Sequence, residues 1–139
     1  MILYLDTSAL VKLYVEEIGS NEVKKLVKAA QIVSTSRIAY VEARAGFARK
    51  LREGELDRTG WGQIVNDLEI DWKSYFIIEV SETLTKLAVV LADKYPLRGF
   101  DAIHLASGLL LKRKTKLDVR FSCFDKKLKE AAQSEGLFI

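Results

Sequence analysis

The chain has 139 residues, 49% hydrophobic and 29% charged, with a mean hydropathy of +0.04 and a net charge of +3. That is an ordinary composition for one soluble globular domain over residues 1–139, and its mild basicity permits a nucleic-acid partner without demanding one. The lone Cys123 excludes an internal disulfide and a cysteine-cluster zinc site, and it fits a reducing compartment. The apolar N-terminus lacks a basic leading region and is interrupted by Asp6 and Lys12, so it does not read as a signal peptide. No apolar run approaches the ~20 residues that span a bilayer, so the expected location is the cytoplasm, away from membranes.

Ile2 to Leu5 reads as a first strand, followed by a short helix to about Val15. Ser20 is the expected N-cap of a helix over Asn21 to Ala30, with Glu22 suited to its first turn. A second strand fits Ile32 to Thr35. Arg37 to Glu53 and Asp57 to Tyr75 read as a helical hairpin, with Gly54 ending the first helix. Phe76 to Val80 is the clearest strand in the chain, short, apolar and β-branched. Ser81 then caps a helix carrying Leu84, Leu87, Ala88, Leu91 and Ala92 at helical spacing. After Pro96 and Gly99, a helix from about Asp101 to Arg113 is apolar on nearly every side and should be buried. Val119 to Cys123 is a fourth strand, Lys126 to Glu135 a last helix stopped by Gly136, and Leu137 to Ile139 a candidate edge strand. Alternating strands and helices predict an α/β fold with a central parallel sheet flanked by helices.

Four acids occupy informative places. Asp6 follows the first strand, where open parallel sheets bind their ligands. Its plain alternative is a helix N-cap, although Thr7 or Ser8 could serve there equally well. Glu42 has Ile38, Ala39, Ala45 and Gly46 as its helical neighbours, none able to pair with it. Asp101 and Asp125 stand at helix starts, with capping again the plain alternative. If the four converge, their mutual repulsion calls for a cation. All-oxygen ligation selects Mg²⁺ or Mn²⁺ over Zn²⁺, and such an ion supports phosphodiester hydrolysis.

Thr7, Ser8 and Ser122 are candidates to support the carboxylates. Arg44, Arg49 and Arg98 are candidates for phosphate contacts. The basic runs Lys112 to Lys116 and Lys126 to Lys129 read most simply as solvated faces, with nucleic-acid binding the alternative. His104, one helical turn after Asp101, reads as a hydrogen-bonded core residue, because a metal mechanism does not need it. Cys123 reads as a core residue without an activating partner. Trp61 and Trp72 read as hairpin packing, with an exposed interface anchor the alternative for Trp61.

Asp6-Thr7-Ser8-Ala9-Leu10, Tyr40-Val41-Glu42-Ala43-Arg44, Asp101-Ala102-Ile103-His104-Leu105-Ala106 and Phe124-Asp125-Lys126-Lys127-Leu128 together resemble a PIN domain, and more narrowly the VapC toxins of VapBC toxin–antitoxin pairs. The resemblance covers essentially the whole chain. It implies a Mg²⁺- or Mn²⁺-dependent endoribonuclease in which Asp6, Glu42 and Asp101 are the core acids and Asp125 fills a more variable fourth place. It also implies an RNA substrate, a homodimer, and a VapB-like antitoxin held at the helical hairpin. A catalytically silent binding module of the same fold is one alternative. A haloacid-dehalogenase-type phosphatase is another, but Ser8 stands where that chemistry wants a second aspartate. A phospho-receiver domain needs an acidic pair after the first strand and an acceptor aspartate after the third, but Asp6 is flanked by Leu5 and Thr7 and Val80 is followed by Ser81.

Overall fold

Tyr4 is the middle of a strand with no exposed residue. In this computed structural model, which describes residues 1–139, Ile2–Leu5 (β1) is buried throughout. It lies between Ile32–Ser36 (β2) and Val119–Ser122 (β4), while Phe76–Ile78 (β3) adds to the far side of β2. The order is β3-β2-β1-β4 and every pairing is parallel. Tyr4 stands opposite Ser34 on one side and Phe121 on the other, and its ring stacks on Phe121 at 5.2 Å.

Alternation along β1 divides the core between two faces. Ile2 and Tyr4 join the helices Glu82–Lys94 (α5), Gly99–Thr115 (α6) and Lys126–Ser134 (α7). Leu3 and Leu5 join Thr7–Lys12 (α1), Ser20–Ala29 (α2), Arg37–Arg52 (α3) and Arg58–Trp72 (α4). The predicted parallel α/β architecture with helices on both faces is therefore the observed one. No helix is long and apolar enough to cross a membrane.

Several boundaries differ from expectation for local reasons. Ser20 is the first residue of α2, not its cap; Gly19 holds the cap position at φ +95°, which a side chain would strain. The Ser20 hydroxyl instead ties the preceding turn, accepting from the Glu17 amide at 2.9 Å and donating to the Val15 carbonyl at 3.1 Å. α1 stops at Lys12 and passes into a turn. β3 is only three residues long, because its partner β2 turns into α3 at Ser36, opposite Ile78. Leu137 to Ile139 contributes a single bridge, Phe138 to Arg120, with the Phe121 amide donating to the Phe138 carbonyl at 2.7 Å. Trp61 packs into the α1–α4 side of the core instead of standing exposed, and Trp72 packs against Tyr40 at 5.0 Å.

α6 lies close against β4 because Gly108 faces Phe121. A Cβ at position 108 would meet the Phe121 ring at 2.8 Å. Gly108→Val should therefore lower unfolding free energy by about 2 kcal/mol through overpacking. Urea denaturation midpoints test this, and an unchanged midpoint would mean that α6 can lift from β4 at no cost.

Candidate metal centre at the carboxyl edge of the sheet

All four strands end at the same edge, so the residues following them share it. The chain reaches β2 on one side of β1 and β4 on the other, which opens a crevice at the end of β1. Asp6 occupies that point and is 4% exposed. It does cap α1: its Oδ1 accepts from the Ala9 amide at 2.9 Å and from the Ser8 hydroxyl at 2.8 Å. Thr7 and Ser8, which could have capped equally well, leave the cap to Asp6. Both bonds fall on Oδ1, so the cap leaves Oδ2 uncommitted and does not compete with ligation.

The Asp6 backbone amide donates to the Ser122 carbonyl at 3.1 Å. Ser122 thus supports the first acid through its main chain rather than its hydroxyl. Burial pushes the Asp6 carboxyl above its ordinary value. Hydrogen bonds from the Ala9 amide and the Ser8 hydroxyl oppose that shift, and the nearby Asp101 charge adds to it. No Lys or Arg stands within ion-pair distance to neutralise Asp6.

Ser36 caps α3 at the end of β2, and α3 carries Glu42 toward the same edge. The Glu42 Oε1 accepts from the Thr7 hydroxyl and lies 3.3 Å from His104 Nε2. Burial acts to raise the Glu42 carboxyl, but the hydrogen bonds from His104 and Thr7 outweigh it and hold the carboxyl below its ordinary value. Asp101 sits in the first turn of α6, two residues inside a helix that begins at Gly99. The capping alternative for Asp101 is thereby removed. Its carboxylate lies 3.5 Å from Arg98 Nε, a loose contact from a side chain that is 85% exposed.

Glu42 and Asp101 line one open cavity of about 490 Å³ together with Arg98, Gly99 and Phe100. Asp6 and Asp125 do not line it. Asp125 caps α7, its Oδ2 accepting from the Leu128 amide at 2.9 Å, and its side chain faces solvent. Asp6, Asp101 and Asp125 nonetheless all act on Cys123. Burial pushes that thiol up to about 12, with the three acid charges adding to the shift and Lys129 opposing it. Cys123 is accordingly an inert core residue.

Of the arginines, only Arg98 borders the cavity. Arg44 pairs with Glu69 at 2.9 Å in the α3–α4 hairpin, and Arg49 is exposed further along α3. No three of the His, Cys, Asp and Glu side chains stand close enough to form a ready cation cage. The donor chemistry still suits a hard divalent ion: carboxylate oxygens with free lone pairs, one of them buried without a cationic neighbour.

Two contributors were not legible as site residues. His104 is buried as expected, yet its Nε2 serves Thr7 and Glu42, so it belongs to the core and the site at once. The available signal was its spacing, one turn after Asp101 on the same helix face. Phe100, 56% exposed at the cavity, was visible only as the residue before Asp101.

The PIN domain family model matches residues 3–133. Ribonuclease VapC45 of Mycobacterium tuberculosis (strain CDC 1551 / Oshkosh) is 36% identical over 108 residues, covering 78% of this chain and 75% of that protein. Among solved structures, Mycobacterium tuberculosis VapC20, described as a Sarcin-Ricin loop cleaving toxin, superposes with a TM-score of 0.64 at 18% identity, covering 93% of this chain and 94% of that one. FitAcB from Neisseria gonorrhoeae gives 0.68 at 18% identity, covering 96% of this chain and 94% of that one. At such identities these two structures speak for the fold.

The raised Asp6 carboxyl has a consequence for stability. A carboxyl raised on folding favours the folded state at low pH, and that advantage is lost as pH rises through the folded value. Asp6→Asn keeps a good capping residue but removes the buried charge. In EDTA it should raise the unfolding midpoint at pH 7, and the gain should vanish near pH ~4, where a free Asp itself protonates. Urea unfolding across pH checks this, and a loss at pH 7 as large as that of Asp6→Ala would refute it.

Proposed function

The chain belongs to the PIN-domain family, and on that premise we propose that it is the ribonuclease toxin of a toxin–antitoxin pair. It hydrolyses RNA phosphodiester bonds at a carboxylate-held Mg²⁺ or Mn²⁺. One observation carries the reading: Glu42 and Asp101 meet in one open cavity at the sheet edge where the buried Asp6 lacks a cationic partner. The 36% identical ribonuclease supports RNA as the substrate class.

Asp6, Glu42 and Asp101 would hold the ion, with Asp125 as a fourth, more exposed acid. When bound, Mg²⁺ or Mn²⁺ supplies Lewis-acid stabilisation of phosphoryl charge and lowers the pKa of a coordinated water. The protein's own residues do the rest. Ser8 and the Ala9 amide fix one oxygen of Asp6, so its orientation is set before substrate arrives. Thr7 does the same for Glu42. Arg98, exposed at the cavity, would meet a phosphate, and Phe100 would offer a face on which an unpaired base can stack.

Partners follow the same reading. Val41 on α3 and Ile70 on α4 expose apolar side chains on the hairpin, which supports it as the seat of an antitoxin segment. Val89 and Val90 on α5 are exposed as well and support a second copy of the chain as partner. Against an aspartyl-phosphate mechanism, Ser8 donates a hydrogen bond to Asp6 where a second acid is required.

The protein freed of antitoxin should cleave an RNA pool with Mg²⁺ or Mn²⁺ and stop in EDTA. Asp6→Asn and Asp101→Asn should each lower turnover by about 100-fold or more. Arg98→Ala should raise KM with little change in kcat. Full cleavage in EDTA, or in either aspartate variant, would sink the mechanism.

A further inference from the structure

We propose that His104 is a positioning residue, the centre of a hydrogen-bond chain Tyr4–His104–Thr7 that holds Glu42 in its ligating orientation. The proposal rests on the reading of Glu42 as a cation ligand. The chain joins three elements: Tyr4 in β1, Thr7 opening α1 and His104 in α6. Tyr4 Oη lies 2.8 Å from His104 Nδ1, His104 Nε2 lies 3.0 Å from Thr7 Oγ1, and Thr7 bonds to Glu42 Oε1.

Its proton arrangement follows from the carboxylate. An ionised carboxylate only accepts, so Thr7 donates its single hydroxyl proton to Oε1. Thr7 Oγ1 must then accept from His104, and Nε2 also faces Oε1 at 3.3 Å. Nε2 therefore carries the proton. Nδ1 is left to accept, and the Tyr4 hydroxyl supplies its donor. Each bond points the same way, from the core toward Glu42.

The arrangement answers a problem of Glu42's own. A glutamate side chain is long and costs rotamer entropy to fix, about 1.5–2 kcal/mol. No Lys or Arg pairs with Glu42, so its neighbours there are the hydrogen-bond donors Thr7 and His104. Both donors converge on Oε1, which leaves Oε2 for the cavity. A histidine serving only the core would be satisfied by Tyr4 and any nearby carbonyl. Here both partners of Nε2 belong to the acidic site.

Groups behind metal-binding carboxylates typically cost 10–100-fold in metal affinity when removed, on the order of tenfold at the low end. Calorimetric titration with Mn²⁺ is therefore the test, alongside the unfolding midpoint. His104→Leu should weaken Mn²⁺ binding about tenfold or more, and His104→Gln, whose amide can donate from near the Nε2 position, should recover most of it. His104 is the only histidine in the chain, so its ¹⁵N spectrum in the metal-free protein is unambiguous and should show the proton on Nε2. Unaltered Mn²⁺ affinity in a folded His104→Leu, or a proton on Nδ1, would overturn the proposal. If His104→Leu does not fold, the wild-type tautomer and the affinity of His104→Gln decide it. Unchanged affinity in Glu42→Gln would remove the ligand reading itself, an outcome distinct from a failure confined to His104.

Discussion

A carboxylate buried at the end of the central strand is costly, and the molecule is organised around that cost. Asp6 is forced to its place by β1, whose two faces fill both halves of the core. The fold cannot move Asp6 toward solvent without breaking β1's two parallel ladders, to β2 and to β4. Local hydrogen bonds offset part of the penalty, through Ser8 and the Ala9 amide. The remainder still raises the carboxyl, and Asp101 worsens it. Such a group is tolerated where its charge is neutralised in use, which is what a cation site would do.

The surrounding elements can be understood as ways of bringing oxygen atoms to that point. Parallel pairing gives one edge at which strand ends accumulate. Ser36 ends β2 and caps α3, so Glu42 arrives about 1.7 turns later. α6 crosses the same edge and delivers Asp101 and His104 one turn apart. Its close packing on β4, permitted by Gly108, fixes that delivery. Capping does not use up a carboxylate. Asp6 and Asp125 each commit one oxygen to a helix start, at 2.9 Å in both cases, and keep the other.

Periodicity made the element order legible, and the strand-to-helix junction at Asp6 made the sheet edge legible. The strand order was not, because pairing between β1 and β4 is a long-range choice that local pattern does not encode. Phe76 to Val80 illustrates the limit: an apolar, β-branched run signals a strand, but its length is set by the partner, and β2 ends at Ser36. Ser20 has a capping side chain, yet the turn geometry needed the positive φ that Gly19 supplies. For the acids, weighing cap against ligand treated as exclusive two roles that a carboxylate's two oxygens can share. His104 is the buried, hydrogen-bonded residue that the sequence suggests, but which groups it bonds was not legible. Its partners, Tyr4 and Thr7, lie 100 and 97 residues away in sequence, beyond any local signal.

The central claim is that acids contributed by β1's end, α3 and α6 serve one divalent cation. Crystals of the antitoxin-free protein soaked in Mn²⁺ and measured for anomalous scattering test it most directly. A peak within ligating distance, about 2–2.5 Å, of carboxylate oxygens from Asp6 and from Glu42 or Asp101 is the predicted result. A fully soaked crystal with no peak there, or with Mn²⁺ only at other surface acids, would contradict it.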